Sequence, residues 1–317
     1  AQEKYDEAAG CYRQVLAQQP NHVDALTNLG NALMRMGRLD DAIACYQQAL
    51  EISPHYAKAH ANLGTIKRVQ GKLDESIACF RRAITLDPEY VLAHFNLGSA
   101  LLLAGKFREG WQKYAWHWRR EDKDRRPFPP TPWNGGNLGG RSIFLHAEQG
   151  LGDELFFLRF LPRLKQRGAG NVTYRPSPKI ASLLSRVTLI DRIARPDEGP
   201  TADQWVFSVG DLPRLLGMET VAQIPPALPI PPQPERVEAL KRMLAQLGPP
   251  PYLGVTWRAG TPGKELALYK ASPLVLLTET LKTVPATILI LQRFPAEGEV
   301  DSFQKHLGRP AHDFSKL

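Results

Sequence analysis

Asn28-Leu29-Gly30, Asn62-Leu63-Gly64 and Asn96-Leu97-Gly98 recur with a spacing of 34 residues (62 − 28 = 96 − 62 = 34). The same offset relates Tyr12, Tyr46, Phe80 and Tyr114, then Ala25, Ala59 and Ala93, then Pro20, Pro54 and Pro88. Self-similarity at such a period marks a tandem array of one supersecondary unit. A single helical hairpin cannot bury its apolar face, whereas stacked hairpins share a core that runs along the array. The small residues then have definite places. Gly30 and Gly64 are predicted where two helices touch, and Gly37, Gly71 and Gly105 fall just past a first helix, where a left-handed C-cap is needed. Asp40, Asp74 and the prolines punctuate the second helix. Residue 1 aligns with Arg35 one unit on, so the chain is read as starting inside a repeat, without that repeat's first helix.

These units resemble the tetratricopeptide repeat, with Gly at the helix crossing, an aromatic in the second helix and Pro after it. Cys11, Cys45 and Cys79 are also 34 apart. They are one structural choice repeated, and burial in the packing is expected of all three rather than a disulfide or metal role, since no C-x-x-C pair exists. Thiols in such a series suit a reducing compartment. No apolar run approaches the roughly 18 residues of a membrane span, and no signal peptide is visible, so the sequence is read as cytoplasmic.

A length of 317 residues with 43% hydrophobic content suits two or three globular domains. The net charge of +8 admits nucleic acid, an acidic membrane or an anionic substrate as partners. Part of it is local, in Arg119, Arg120, Lys123, Arg125 and Arg126, a cluster diluted by Glu121, Asp122 and Asp124 and read as a solvated helix end. No zinc-finger or RNP signature supports nucleic-acid binding. After Trp118 the prolines 127, 129, 130 and 132 and the Gly135-Gly136 and Gly139-Gly140 pairs end the helical pattern. The aromatic group Trp111, Tyr114, Trp116 and Trp118 is expected to dock the array onto the next domain.

Beyond the linker, short apolar strands alternate with helices. Ser142–Ala147, Val172–Tyr174 and Asp191–Ala194 read as strands, with helices at Leu155–Gln166 and Lys179–Arg186. A Pro-rich hinge at Ile224–Pro234 and a helix at Glu235–Leu247 lead to strands at Tyr252–Trp257 and Thr287–Leu291, with helices at Leu274–Lys282 and Val300–Leu307. Such alternation predicts parallel, doubly wound α/β units, and two of them separated by a hinge would place a cleft between them. The boundaries are 1–121 for the repeats, 122–140 for the linker, 141–223 for the first Rossmann-like unit, 224–250 for the hinge and its helix, and 251–317 for the second unit.

Glu148-Gln149-Gly150-Leu151-Gly152-Asp153, Leu158-Arg159-Phe160-Leu161-Pro162 and Trp257-Arg258-Ala259-Gly260-Thr261 make the whole resemble bacterial proteins that fuse tetratricopeptide repeats to a GT-B glycosyltransferase related to the lipopolysaccharide heptosyltransferases of glycosyltransferase family 9. The fold class expected is therefore a multidomain chain, an N-terminal α-solenoid followed by a Rossmann-like α/β domain of GT-B type. The resemblance implies an inverting, metal-independent transfer of a sugar from a nucleotide sugar, with no cofactor, and it assigns the catalytic carboxylate to Asp153. Read from the residues alone, Asp153 caps the following helix or takes a proton from an acceptor hydroxyl. Gly150 and Gly152, beside Gln149, would let backbone N–H groups approach an anion at a helix N-terminus. Arg258 and Lys264, with Gly260 and Thr261, are candidates for the nucleotide phosphate, or an ordinary solvated loop. The second unit is read as incomplete, with two clear strands and no counterpart of the family's His-Leu-Ala segment, so no turnover is expected of this chain.

Asn28, Asn62 and Asn96 fall on successive first helices and resemble the asparagine ladder of the eukaryotic protein O-GlcNAc transferase. First helices about 10 Å apart would meet an extended peptide, rising about 3.3 Å per residue, at every third residue. The same Asn would equally serve as a polar consensus position. The leading expectation is a glycosyltransferase-like protein whose repeats hold a protein or peptide acceptor. The rival is a non-catalytic repeat scaffold with a degenerate transferase domain.

Overall fold

The computed structural model of the chain describes residues 2–119, 128, 130–147, 150–258 and 272–315. Seven helices open it: α1 (Gln2–Gln18), α2 (Val23–Arg35), α3 (Leu39–Ile52), α4 (Ala57–Val69), α5 (Leu73–Leu86), α6 (Val91–Leu103) and α7 (Phe107–Tyr114). They pair as the hairpins α2/α3, α4/α5 and α6/α7, and each hairpin closes through one contact between a glycine and an aromatic residue sixteen positions later. A Cβ at Gly30 would sit 2.5 Å from the ring of Tyr46, one at Gly64 3.0 Å from the ring of Phe80, and one at Gly98 2.4 Å from the backbone nitrogen of Tyr114. Glycine is required there by close approach, not by dihedral angle. At the tight turns the reason is the dihedral, since Gly37, Gly71 and Gly105 have φ of 77°, 76° and 74°.

Polar side chains tie neighbouring helices of the array together. Tyr46 is fully buried, and its hydroxyl donates to Asn31 Oδ1 at 2.8 Å, whereas Phe80 at the equivalent position needs no partner. His60 and His94 each place Nε2 within 3.0 Å and 2.8 Å of the carbonyl of the proline six residues earlier, Pro54 and Pro88, which ties the inter-repeat turn to the next helix.

The expectation of three equivalent buried thiols is corrected. Cys45 and Cys79 are half-buried, and burial pushes both thiols above their ordinary value, but Cys11 is exposed. Ala9, Tyr12 and Leu16 of α1 join the core of the first hairpins, whereas Cys11 on the same helix does not.

After α7 a 3₁₀ turn (Ala115–Arg119) leads to a four-stranded, all-parallel sheet in the order β3-β2-β1-β4, formed by β1 (Ile143–His146), β2 (Val172–Arg175), β3 (Arg192–Ile193) and β4 (Trp205–Ser208). The strand order reverses beside β1, between β1 and β4. Helices α8 (Leu151–Leu158), α9 (Leu161–Gln166), α10 (Ala181–Leu184) and α11 (Leu212–Leu215) accompany the sheet. The predicted single helix Leu155–Gln166 begins earlier and is broken in two. Pro162 stands in the first turn of α9, where its ring cannot follow a preceding helical turn without losing a hydrogen bond to Leu158 and clashing with it. The predicted helix Lys179–Arg186 is a 3₁₀ turn (Pro178–Ile180) followed by α10. Segment 130–140 packs against the sheet: Thr131 N–H donates to the Val206 carbonyl at 2.9 Å, and Leu138 is in the core.

The chain divides into two compact units, Ala9–Pro231 and, grouped with Ala1–Ala8, Pro232–Leu317. The repeats and the first sheet thus belong to one body. The other contains α12 (Pro234–Ala245), β5 (Tyr252–Val255), α13 (Leu274–Leu281), β6 (Thr287–Ile290), α14 (Glu299–Leu307) and β7 (Ala311–Asp313), with a parallel sheet in the order β5-β6-β7. Its core stacks Trp257 on Phe303 at 5.0 Å. Three strands are present among the described residues where two were expected, because β7 is three residues long and carries no apolar run. Among the described residues no helix is long and apolar enough to cross a membrane.

The glycine contacts predict a graded series. Gly98→Ala should destabilise by about 1–3 kcal/mol, since backbone cannot move aside as a ring edge can, and Gly64→Ala by less. Gly10→Ala, with nothing within 4 Å of the added Cβ, should be neutral or stabilising by up to about 1 kcal/mol. Urea unfolding of the three variants checks the order.

Candidate functional site

Asn28, Asn62 and Asn96 stand on α2, α4 and α6, the first helices of successive hairpins. Asn28 is exposed, and Asn62 and Asn96 are half-buried. Asn62 does not turn freely. Its Nδ2 donates to Asn31 Oδ1 at 2.8 Å, the same oxygen that accepts from the Tyr46 hydroxyl, so a relay Tyr46–Asn31–Asn62 crosses from one hairpin to the next. Burial pushes the Tyr46 phenol well above its ordinary range and keeps it a donor. Both lone-pair directions of the Asn31 oxygen are then used, and the Asn62 amide keeps its carbonyl oxygen and one N–H for a ligand. Sequence reading missed Asn31, although it follows Asn28 by one helical turn. Nearby, the Tyr56 hydroxyl donates to Asp24 Oδ1, a second tie between repeats.

At the α/β site, Gly150 is the N-cap of α8 and Asp153 is its third residue. The role expected of Asp153 as the N-cap is corrected: its Oδ2 reaches back to the Gly150 N–H at 3.4 Å, and Gly150, lacking a side chain, offers nothing in return. Half of a capping box results. The Asp153 carboxylate is exposed, and a Cβ at Gly152 would meet nothing within 4 Å, so the first turn of α8 is open at its surface. The next residue is unlike it. Glu154 is fully buried, and its Oε1 accepts from the Tyr174 hydroxyl at 2.7 Å and the Ser177 N–H at 3.1 Å. Burial and the Glu154 charge push the Tyr174 phenol well above its ordinary value, so it remains the donor. This pair fixes α8 against β2 and thereby sets where Asp153 points. The sequence reading gave Glu154 no role. Gln149 lies outside the described residues.

At the carboxyl ends of β1 and β4 the end of the repeat array meets the α/β domain. His117, in the 3₁₀ turn after α7, brings Nε2 to 3.2 Å from Asp211 Oδ1, and both residues are buried. Arg214 stands 3.8 Å from the same oxygen. Burial alone would raise the Asp211 carboxyl, but the His117 hydrogen bond and the charges of His117, Arg214 and His146, the last residue of β1, outweigh it and hold the group below the usual carboxylate range. Around this pair, Trp111 and Tyr114 pack against Phe157 of α8 with ring separations of 6.2 Å and 6.4 Å, the docking expected of them. Trp116 instead stacks on His94 at 3.7 Å under the Arg119 guanidinium, and Trp118 stays exposed.

In the other compact unit, Arg258 is already paired. Its Nη1 and Nη2 face the two carboxylate oxygens of Glu299 at 3.0 Å and 3.2 Å, and Nη2 also donates to the Phe294 carbonyl at 3.1 Å. Burial pushes the Glu299 carboxyl up, but the Ala296 N–H, Trp257 Nε1 and Arg258 together hold it below its ordinary value. A bidentate partner of this kind leaves the guanidinium fork engaged. Gly260, Thr261 and Lys264 lie outside the described residues.

The tetratricopeptide-repeat family matches residues 1–55 and 22–89, and the N-terminal helices form a tetratricopeptide array. The chain is 27% identical to Protein FlbA of Caulobacter vibrioides over 222 residues, 63% of this chain and 37% of that protein. The chain thus spans little more than a third of that relative's length, and the match is longer than the repeat array. Among solved structures, MamA is 26% identical with a TM-score of 0.33, covering 37% of this chain and 68% of MamA. The first tetratricopeptide domain of Spaghetti (RPAP3) bound to the HSP90 peptide SRMEEVD is 26% identical with a TM-score of 0.31, covering 32% of this chain and 82% of that one.

Asp211→Ala should destabilise the protein by about 3–5 kcal/mol, the usual result of stripping one partner from a buried pair. With its carboxyl depressed in the folded state, Asp211 stabilises above its unfolded value of about 3.9, and that contribution is lost as pH falls through the folded value. Urea titrations from pH 7 to pH 3 should show wild-type stability falling more steeply than that of Asp211→Asn.

Proposed function

We propose that the chain is a protein-binding scaffold whose repeat array captures an extended polypeptide along its first helices. The observation that carries this reading is the row Asn28, Asn62 and Asn96 on α2, α4 and α6, with Asn62 held by Asn31 and Tyr46. A side-chain amide offers one donor and one acceptor, which is what a peptide unit needs, and a preset rotamer lowers the entropy lost on binding. Recognition through backbone groups would be tolerant of peptide sequence. The three unpaired thiols suit a reducing, cytoplasmic compartment.

A glycosyltransferase-like activity is the second reading, favoured by the open first turn of α8 and its exposed carboxylate. Asp153 would take a proton from the acceptor hydroxyl of a sugar transfer, and the donor would be a nucleotide sugar. Arg258 enters the phosphate side of that reaction only by exchanging Glu299 for the phosphate. The engagement of Arg258 is also what favours the alternative, in which the α/β domain is a non-catalytic support for the array.

Two measurements separate these readings. Replacing Asn28, Asn62 and Asn96 together by Ala removes three contacts worth about 1 kcal/mol each and should weaken binding of an unfolded probe, reduced carboxymethylated α-lactalbumin, on the order of 100-fold while the array stays folded, its melting temperature falling by a few degrees at most through loss of the Asn62–Asn31 hydrogen bond. Equal affinity in calorimetry would rule out the asparagine row as the binding surface. For the transferase, in a form of the protein that turns over a nucleotide sugar, Asp153→Asn should abolish that turnover while nucleotide affinity stays within about twofold, because Asn keeps the size of the side chain but cannot take the proton. Normal turnover in that variant would leave Asp153 as a partial helix cap.

A further inference from the structure

Trp118 is the aromatic residue of the array's end that docking leaves unused, with 46% of its surface exposed and the Arg119 guanidinium 5.4 Å from its ring. It lines a cavity of about 690 Å³ with Trp133 and Trp205, so three of the chain's six tryptophans meet at one concavity. That volume falls within the roughly 300–1,000 Å³ of small-molecule sites. Two of the indoles are firmly seated. Trp205 is the first residue of β4, Trp133 follows the Thr131 segment that pairs with β4, and both pack on Phe207, at 6.5 Å and 5.4 Å between rings. Thr131, Asn134 and Arg214 supply polar groups around them. Asn134 Oδ1 accepts from the Gly136 N–H at 3.0 Å, which orients the amide, and the Arg214 Nε is buried with no hydrogen-bond partner among the described residues.

We propose that this cavity binds a saccharide ring. A pyranose has two apolar C–H faces and a rim of hydroxyls in the ring plane. Indoles present flat, electron-rich faces to polarised C–H groups, while an amide and a guanidinium supply the donors and the acceptor that in-plane hydroxyls require. The charge of the lining selects among ligands that prefer aromatic walls. A quaternary ammonium would meet Arg214 where an aromatic cage needs no competing cation, and no carboxylate lines the cavity among the described residues. A neutral sugar or a sugar acid meets no such repulsion. The site is separate from the Gly150 turn and from the asparagine row, so it stands whether or not the protein transfers sugar or holds a peptide.

The test uses the whole chain. A glycan array identifies the saccharides bound, and titration of tryptophan fluorescence with the best of them, alongside N-acetylglucosamine, glucuronic acid, choline and a decaproline peptide, gives affinities. Expected are saturable binding of at least one saccharide, a loss of about tenfold in Trp118→Ala from one stacking face, a smaller loss in Trp118→Phe, and a loss in Asn134→Ala. The melting temperature of Trp118→Ala should be unchanged, since the side chain is half exposed. An array with no saccharide bound, saccharide affinity undiminished in both Trp118→Ala and Asn134→Ala, or saturation by choline or decaproline in place of every saccharide would overturn the proposal.

Discussion

Trp111 and Tyr114 meeting Phe157 is the contact on which the organisation of the larger body depends. Tyr114 occupies the position that Tyr46 and Phe80 hold in earlier repeats, where an aromatic side chain closes the hairpin over a glycine. In the last repeat the same residue belongs to the core of the α/β sheet as well. That side chain packs on Phe95 of α6 as well as on Phe157, and so joins the array's end and the sheet in one hydrophobic cluster. The buried His117–Asp211 pair adds direction to this contact. Apolar packing is tolerant of rotation, but a hydrogen-bonded ionisable pair is satisfied in one orientation, and leaving either partner alone in the interior is expensive.

The local logic of the first α8 turn shows how position is transmitted to a surface group. Asp153 and Glu154 are adjacent and chemically alike, yet one is exposed and the other fully buried. Glu154 spends its charge on Tyr174 and a backbone N–H of the loop after β2, and the helix is thereby oriented before any ligand arrives. Exposed carboxylates on mobile turns lose entropy when they act; one carried on an anchored helix loses less.

The repeats were legible in the sequence because a period of 34 residues repeats its information: glycine, aromatic and proline each recur at fixed offset, and the glycine contacts at 30, 64 and 98 follow directly. The strands β1, β2, β5 and β6 were legible as apolar runs between turn signals. What escaped was short or non-local. β4 has four residues and no alternation, β7 has three, and the pairs His117–Asp211 and Arg258–Glu299 join positions 94 and 41 residues apart, with no pattern in either local segment to announce them. Helix boundaries failed where one residue decided them, as Pro162 did. Equivalence by phase also had a limit, since Cys11 shares its register with Cys45 and Cys79 but not their neighbours.

The sharing of Tyr114 between hairpin and sheet also gives the molecule a growing end and a fixed end. Each hairpin upstream of α6 closes through the same glycine and aromatic positions and follows the same proline turn, so duplication or loss of a whole unit there keeps the hairpin and changes the length of the array. The α6/α7 hairpin has no such freedom, because its second helix carries Trp111, Tyr114 and the turn that delivers His117. Descendants of this architecture can therefore vary in reach by adding units on the far side, while the hairpin against the sheet is held constant by its two sets of obligations.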